Sequence, residues 1–126
     1  MNNFVDQLFS LKGQHAVVTG GNSGIGLTIA TALGRAGASV LLVARREAQL
    51  AQAAAALSGE GIEVETLTLD LSKTEHLLAA GQAILQRAPQ ASILVNAAGI
   101  NFREPFMKVT PEAWDQIGRA SCRERV

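Results

Sequence analysis

The stretch HAVVTGGNSGIG, His15 to Gly26, decides the fold. Its first five residues, HAVVT, are short, apolar and β-branched, as a buried strand requires. They run directly into a glycine-rich turn in which Gly20, Gly24 and Gly26 follow the spacing TGxxxGxG. From Gly24 to Ala36 the apolar residues recur at helical spacing, placing Ile25, Ile29, Ala32 and Leu33 on one expected face, and Gly37 supplies a stop. Glycines between a strand and a helix permit a tight turn. They also let backbone N–H groups approach a pyrophosphate and allow the helix to lie close to the strand. The helix N-terminus adds a favourable dipole for an anion, and Asn22 and Ser23 add side-chain donors. The plainer alternative is a glycine-rich turn with no ligand, which the flanking strand and helix argue against.

Working outward, the same alternation repeats. SVLLVA (Ser39 to Ala44) is a continuous apolar run, expected as a second strand buried on both faces. REAQLAQAAAALSG is rich in helix formers and ends at Gly59. EVETLTLD (Glu63 to Asp70) alternates with period two, a third strand. Thr74 to Arg87 reads as an alanine- and leucine-rich helix ending before Pro89, and SILVNAAG (Ser92 to Gly99) as a fourth strand. Thr110 and Pro111 carry the signature of a helix start, cap then first residue, with Glu112 in the first turn. Strand and helix alternating in this way predict an α/β fold of the Rossmann type. The expectation is an incomplete doubly wound parallel sheet of four strands in the order 3-2-1-4.

Two more positions point to a nucleotide. An acidic residue that accepts the ribose 2′-hydroxyl is expected about 20 residues past the glycines. At the end of the second strand stand Ala44, Arg45 and Arg46 instead. Arginines there suit a 2′-phosphate, so NADP(H) is expected over NAD, with one or both arginines simply solvated at a helix start, Arg46 above all, as the alternative. Asp70 closes the third strand on the same sheet edge, able to accept from an adenine amino group or to cap the segment that follows.

Composition excludes several other classes. The chain has 126 residues, is 48% hydrophobic and 17% charged, and has a formal net charge of zero, which fits a folded domain and gives no basic excess for nucleic acid. No run approaches a membrane span, and MNNFVDQLFSLKG lacks the basic start of a signal peptide, so a cytoplasmic location is expected. A single cysteine allows neither an internal disulfide nor a cysteine-cluster metal site. His15 and His76 have no ligand spacing, so no metal site is expected.

Taken together, TGGNSGIG after a strand, LDL at Leu69 to Leu71, NAAG at Asn96 to Gly99 and TPEAWD at Thr110 to Asp115 resemble the short-chain dehydrogenase/reductase family. The motifs stand in the family's order and spacing over roughly Leu11 to Asp115. The resemblance implies that Gly20, Ser23, Ile25 and Gly26 line the phosphates and that Asp70 and Leu71 hold the adenine. It places Asn96, Ala97, Ala98 and Gly99 under the nicotinamide riboside. The family more often reads NNAG, so Ala97 is a departure that loses a polar contact. LFSLKGQ before the first strand and AAGINFREPF after the fourth resemble its gluconate 5-dehydrogenase-like members, while 3-oxoacyl thioester reductases have similar first halves. Arg103 would suit a carboxylate substrate or be a plain loop residue.

The family moves hydride between a nicotinamide and a carbonyl or alcohol, with a tyrosine as general acid or base, a lysine lowering its pKa, a serine and an asparagine. This chain contains no tyrosine, and the asparagine expected a few residues after Trp114 is absent, so it is expected to carry no catalytic residues. Residues 1–116 read as the N-terminal part of an NAD(P)-binding domain. Residues 117–126, IGRASCRERV, resemble the translation of a sequencing adapter, ATC GGA AGA GCG TCG TGT AGG GAA AGA GTG, and are expected to be non-native. The expected function is an NADP(H)-dependent oxidoreductase acting on a small molecule, oligomeric in its full-length form and present here as an inactive fragment. The alternative is a non-catalytic NADP(H)-binding module.

Overall fold

The structure, a computed structural model, describes residues 3–99 and 106–117. Four strands form one parallel sheet: β1 His15–Thr19, β2 Ser39–Ala44, β3 Val64–Thr68 and β4 Ile93–Asn96. Their order is β3-β2-β1-β4, as expected from the sequence. The helices are α1 Asn3–Phe9, α2 Gly24–Arg35, α3 Glu47–Gly59, α4 Leu77–Arg87 and α5 Pro111–Ile117. Short 3-10 turns stand at Thr74–His76 and Phe106–Lys108.

The central strands are apolar without interruption because both of their faces are covered. Val18, Val40, Leu42 and Ala44 pack with Ala30 of α2 and with Leu50, Ala53 and Leu57 of α3. Val17, Leu41 and Val43 point the other way, towards Leu67, Leu69, Ile84 of α4 and Ala88 just after it. Each valine or leucine among them contributes about 1.5–3 kcal/mol when fully buried, which makes β1 and β2 the foundation for everything hung on their ends.

Several expectations need correction. Ile25 is 77% exposed, not buried, and Ala32 is exposed too. The inward face of α2 runs instead through Gly26, Ala30 and the partly buried Leu27 and Leu33. Hydrophobic spacing overlooks that face because two of its members are among the smallest residues. Small residues are what let α2 lie close to the sheet. The third strand ends at Thr68, two residues short of Asp70, because Asp70 turns away to bond Ser72. The helix expected from Thr74 opens with a 3-10 turn and becomes α-helical at Leu77. Helix α1 was not expected at all. The start of α5 is as expected, with the Ala113 N–H donating to Thr110 Oγ1 at 3.1 Å.

Candidate functional site

Three motif segments hang from the C-terminal edge of the sheet, each tied to a neighbouring strand by a backbone bond. The Gly20 N–H donates to the Val43 carbonyl at 2.8 Å, the Leu69 N–H to Ala44 at 2.9 Å and the Ala97 N–H to Thr19 at 3.1 Å. The glycine turn, the Asp70 segment and the Asn96–Gly99 segment therefore meet at one end of the molecule. This is the end at which parallel α/β sheets bind ligands.

Gly20 makes that convergence possible. Its φ is +69°, and a Cβ there would lie 2.7 Å from the Ala98 nitrogen and 2.8 Å from the Ala97 carbonyl carbon. Only glycine lets the turn press against the Asn96–Gly99 backbone. Gly24 is the opposite case. Its φ of +57° also calls for glycine, yet nothing stands within 4 Å of where a Cβ would be. Open space thus lies at the first residue of α2. Ser23 is the N-cap of that helix, and its side chain makes no capping bond. The first-turn N–H groups of α2 are left without a side-chain acceptor, so an anion can take that place.

The second charged feature stands at the end of β2. Arg46 is the N-cap residue of α3 and makes no side-chain capping bond, and both Arg45 and Arg46 are exposed. A cation at a helix N-terminus opposes the helix dipole by roughly 0.3–1 kcal/mol, a local penalty that a bound anion would reverse. Asp70 lies nearby. Its Oδ1 accepts from the Ser72 N–H at 2.9 Å and the Ser72 hydroxyl at 2.6 Å. These two bonds, with smaller help from Arg45 and Lys73, hold the Asp70 carboxyl below its ordinary value. Asp70 thus closes a tight turn over Ser72 and does not cap the helical segment that follows, whose N-cap residue is Lys73. Both bonds go to the same oxygen, so an adenine contact at Oδ2 is compatible with it.

Of the other candidates, Gly26 is buried behind the turn, while Ser23, Ile25, Asn96, Ala98 and Gly99 are exposed at this edge, with Leu71 and Ala97 half-buried. Asn22 has a partner within the protein. Its Nδ2 donates to Gln49 Oε1 of α3 at 2.7 Å, so one of its two N–H bonds is committed inside the protein. Gln49 was not singled out from the sequence. A contact across 27 residues leaves no local pattern to find.

His15 sits at the opposite end of the sheet with Nδ1 2.6 Å from the Ser39 hydroxyl. Among the described residues no group of three or more His, Cys, Asp and Glu could hold a metal, and no helix is long and apolar enough to cross a membrane. Arg103 and residues 118–126, including Cys122, lie outside the described residues.

Residues 14–121 match the family model for short chain dehydrogenase. The matched span reaches into residues 117–121, the first part of the stretch expected to be non-native. The chain is 36% identical over 110 residues to gluconate 5-dehydrogenase of Gluconobacter oxydans (strain 621H), covering 87% of this chain and 43% of that protein. It is 37% identical over 108 residues to 3-oxoacyl-[acyl-carrier-protein] reductase of Pseudomonas aeruginosa, covering 86% and 44%. Among solved structures it superposes on L-sorbose reductase from Gluconobacter frateurii, complexed with NADPH and L-sorbose. The TM-score is 0.70 at 31% identity, covering 89% of this chain and 47% of that one. The chain thus spans less than half the length of the relatives it matches.

Proposed function

The chain belongs to the short-chain dehydrogenase family, and from that premise we propose that it is the NADP(H)-binding part of an oxidoreductase. The observation that carries the cofactor reading is the pairing, on one sheet edge, of an uncapped, open α2 N-terminus with the arginines at the start of α3. When bound, the nicotinamide would supply a hydride to a carbonyl carbon or accept one from an alcohol carbon. The chain's own residues bind and orient. Gly20 and Gly26 keep the turn against the sheet, and the N–H groups of Gly24, Ile25 and Gly26 with the Ser23 hydroxyl meet the phosphates. Arg45 and Arg46 take the 2′-phosphate, Asp70 and Leu71 the adenine, and Asn96 to Gly99 the nicotinamide riboside.

A sugar acid such as gluconate is the proposed substrate class, supported by the likeness to gluconate 5-dehydrogenase. A 3-oxoacyl thioester is the second reading, supported by the 37% identity to the acyl-carrier-protein reductase. The 126 residues contain no tyrosine, so they supply no phenol for proton transfer and are inactive alone on this reading. The same absence would suit a non-catalytic NADP(H)-binding module. Both readings place the chain in the cytoplasm with a small-molecule ligand.

Titration of the chain with NADPH and NADH, followed by fluorescence, tests the cofactor assignment. The expected result is tighter binding of NADPH. Arg45→Ala should weaken NADPH about tenfold and NADH little, as loss of a charge-assisted hydrogen bond predicts. Equal affinity for the two cofactors, or no binding of either, would overturn it.

A further inference from the structure

One side-chain hydrogen bond joins the glycine turn to the start of α3. Asn22 Nδ2 donates to Gln49 Oε1 at 2.7 Å, and both residues are half-buried. With Arg46 as N-cap, Gln49 occupies the third position of α3. A glutamine at that position often turns back to the N-cap backbone N–H of its own helix. Here its carbonyl oxygen accepts from a residue on another element instead.

The placement matters because the two ends of the bond belong to two anion-attracting features. Asn22 lies between Gly20 and the open, uncapped N-terminus of α2. Gln49 lies one turn into the helix headed by Arg45 and Arg46. Among the described residues, it is the only side-chain hydrogen bond that ties the turn from Gly20 to Ser23 to α3. The direction of the N–H groups in that turn depends on the path of its backbone, and the bond fixes that path relative to the arginines. Anchoring one N–H of the Asn22 amide also fixes the plane of the second.

We propose that Gln49 is a positioning residue for the dinucleotide: through Asn22 it sets the glycine turn at the spacing from Arg45 and Arg46 that lets one ligand occupy both. This rests on the NADP(H) reading above. Gln49 itself need not touch the ligand.

The test uses the 126-residue chain with Gln49→Ala, Asn22→Ala, the double variant and Gln49→Glu. The probes are NADPH, NADH and adenosine 2′-monophosphate, which lacks the pyrophosphate and reads the arginine end alone. A thermal melt accompanies each variant. Gln49→Ala should weaken both NADPH and NADH, whose pyrophosphates meet the turn, about fivefold, the size of one net hydrogen bond, and leave adenosine 2′-monophosphate unchanged. The double variant should bind NADPH no worse than Asn22→Ala, because both changes remove the same bond. Gln49→Glu keeps an acceptor for Asn22 while adding negative charge beside the arginines, so it should restore NADH affinity and still lower that for NADPH. Unchanged NADPH affinity in Gln49→Ala would overturn the proposal. So would equal weakening of NADPH and adenosine 2′-monophosphate, additive single effects, or a Gln49→Glu chain as weak for NADH as Gln49→Ala. A parent chain that binds no NADPH at all fails the cofactor reading itself. That result is distinct from tight binding that ignores Gln49.

Discussion

Glycines two positions apart can be required for different reasons, and Gly24 and Gly26 separate them. Gly26 has no unusual backbone angle, but a Cβ there would fall on the Gly20 carbonyl oxygen, 2.8 Å from the Gly20 carbonyl carbon and 3.2 Å from Ala97 Cβ. The first two are backbone atoms and cannot rotate aside, so Gly26→Ala must push α2 away from the turn. A loss of about 2–3 kcal/mol is expected, in the range of overpacking. Gly24 has free space and a φ of +57°. Gly24→Ala should cost roughly 1–2 kcal/mol of backbone strain and put a methyl group where the anion is expected. Urea melts and NADPH titrations of the two variants check this. Gly26→Ala should lower the midpoint more, and Gly24→Ala should lower affinity more than its midpoint accounts for. The reverse order would mean that the open space at Gly24 does not serve a ligand.

At the scale of elements, α4 offers the converse test. Gly81 lies inside Leu77–Arg87 with nothing within 4 Å of its Cβ position and no positive φ. Glycine there only adds freedom to the unfolded chain, so Gly81→Ala should raise stability by about 0.5–1 kcal/mol in urea unfolding. An unchanged or lowered midpoint would show that α4 needs the close approach glycine gives. The same elements show what the sequence could reveal. β1 and β2 were legible because burial on both faces leaves an unbroken apolar run, and their parallel pairing follows from the single helix between them, α2. The glycine turn and the arginines after β2 were legible because their chemistry is local. Ile25 was misplaced because its spacing matched a buried face that the structure builds from Gly26 and Ala30. Helix α1 does carry Phe4, Val5, Leu8 and Phe9 at helical spacing, but it is only seven residues long and all four are exposed, so it adds nothing to the βα alternation that defines the fold. The Asn22–Gln49 bond escaped because it joins two elements through side chains alone.

At the scale of the whole molecule, the open side of β4 governs behaviour in solution. Among the described residues β4 pairs only with β1. Its outer edge therefore presents unpaired backbone groups, a template for another strand. Leu94 stands in register with Val17, which packs towards α4, so Leu94 lies on the α4 side of the sheet, where it is 64% exposed. Leu78 and Leu85, two turns apart on α4, are exposed as well. An unpaired edge beside apolar side chains favours association at micromolar concentrations. Size-exclusion chromatography with light scattering over a concentration series should show mass rising with concentration. Two variants separate the contributions. Leu94→Lys puts a charge on the edge strand itself and should return most of the chain to monomer. Leu85→Lys removes apolar surface from α4 without touching the edge and should do so less. Equal effects would make the association a matter of apolar area alone. A parent chain that stays monomeric throughout would show that the β4 edge is protected in a way its pairing does not reveal.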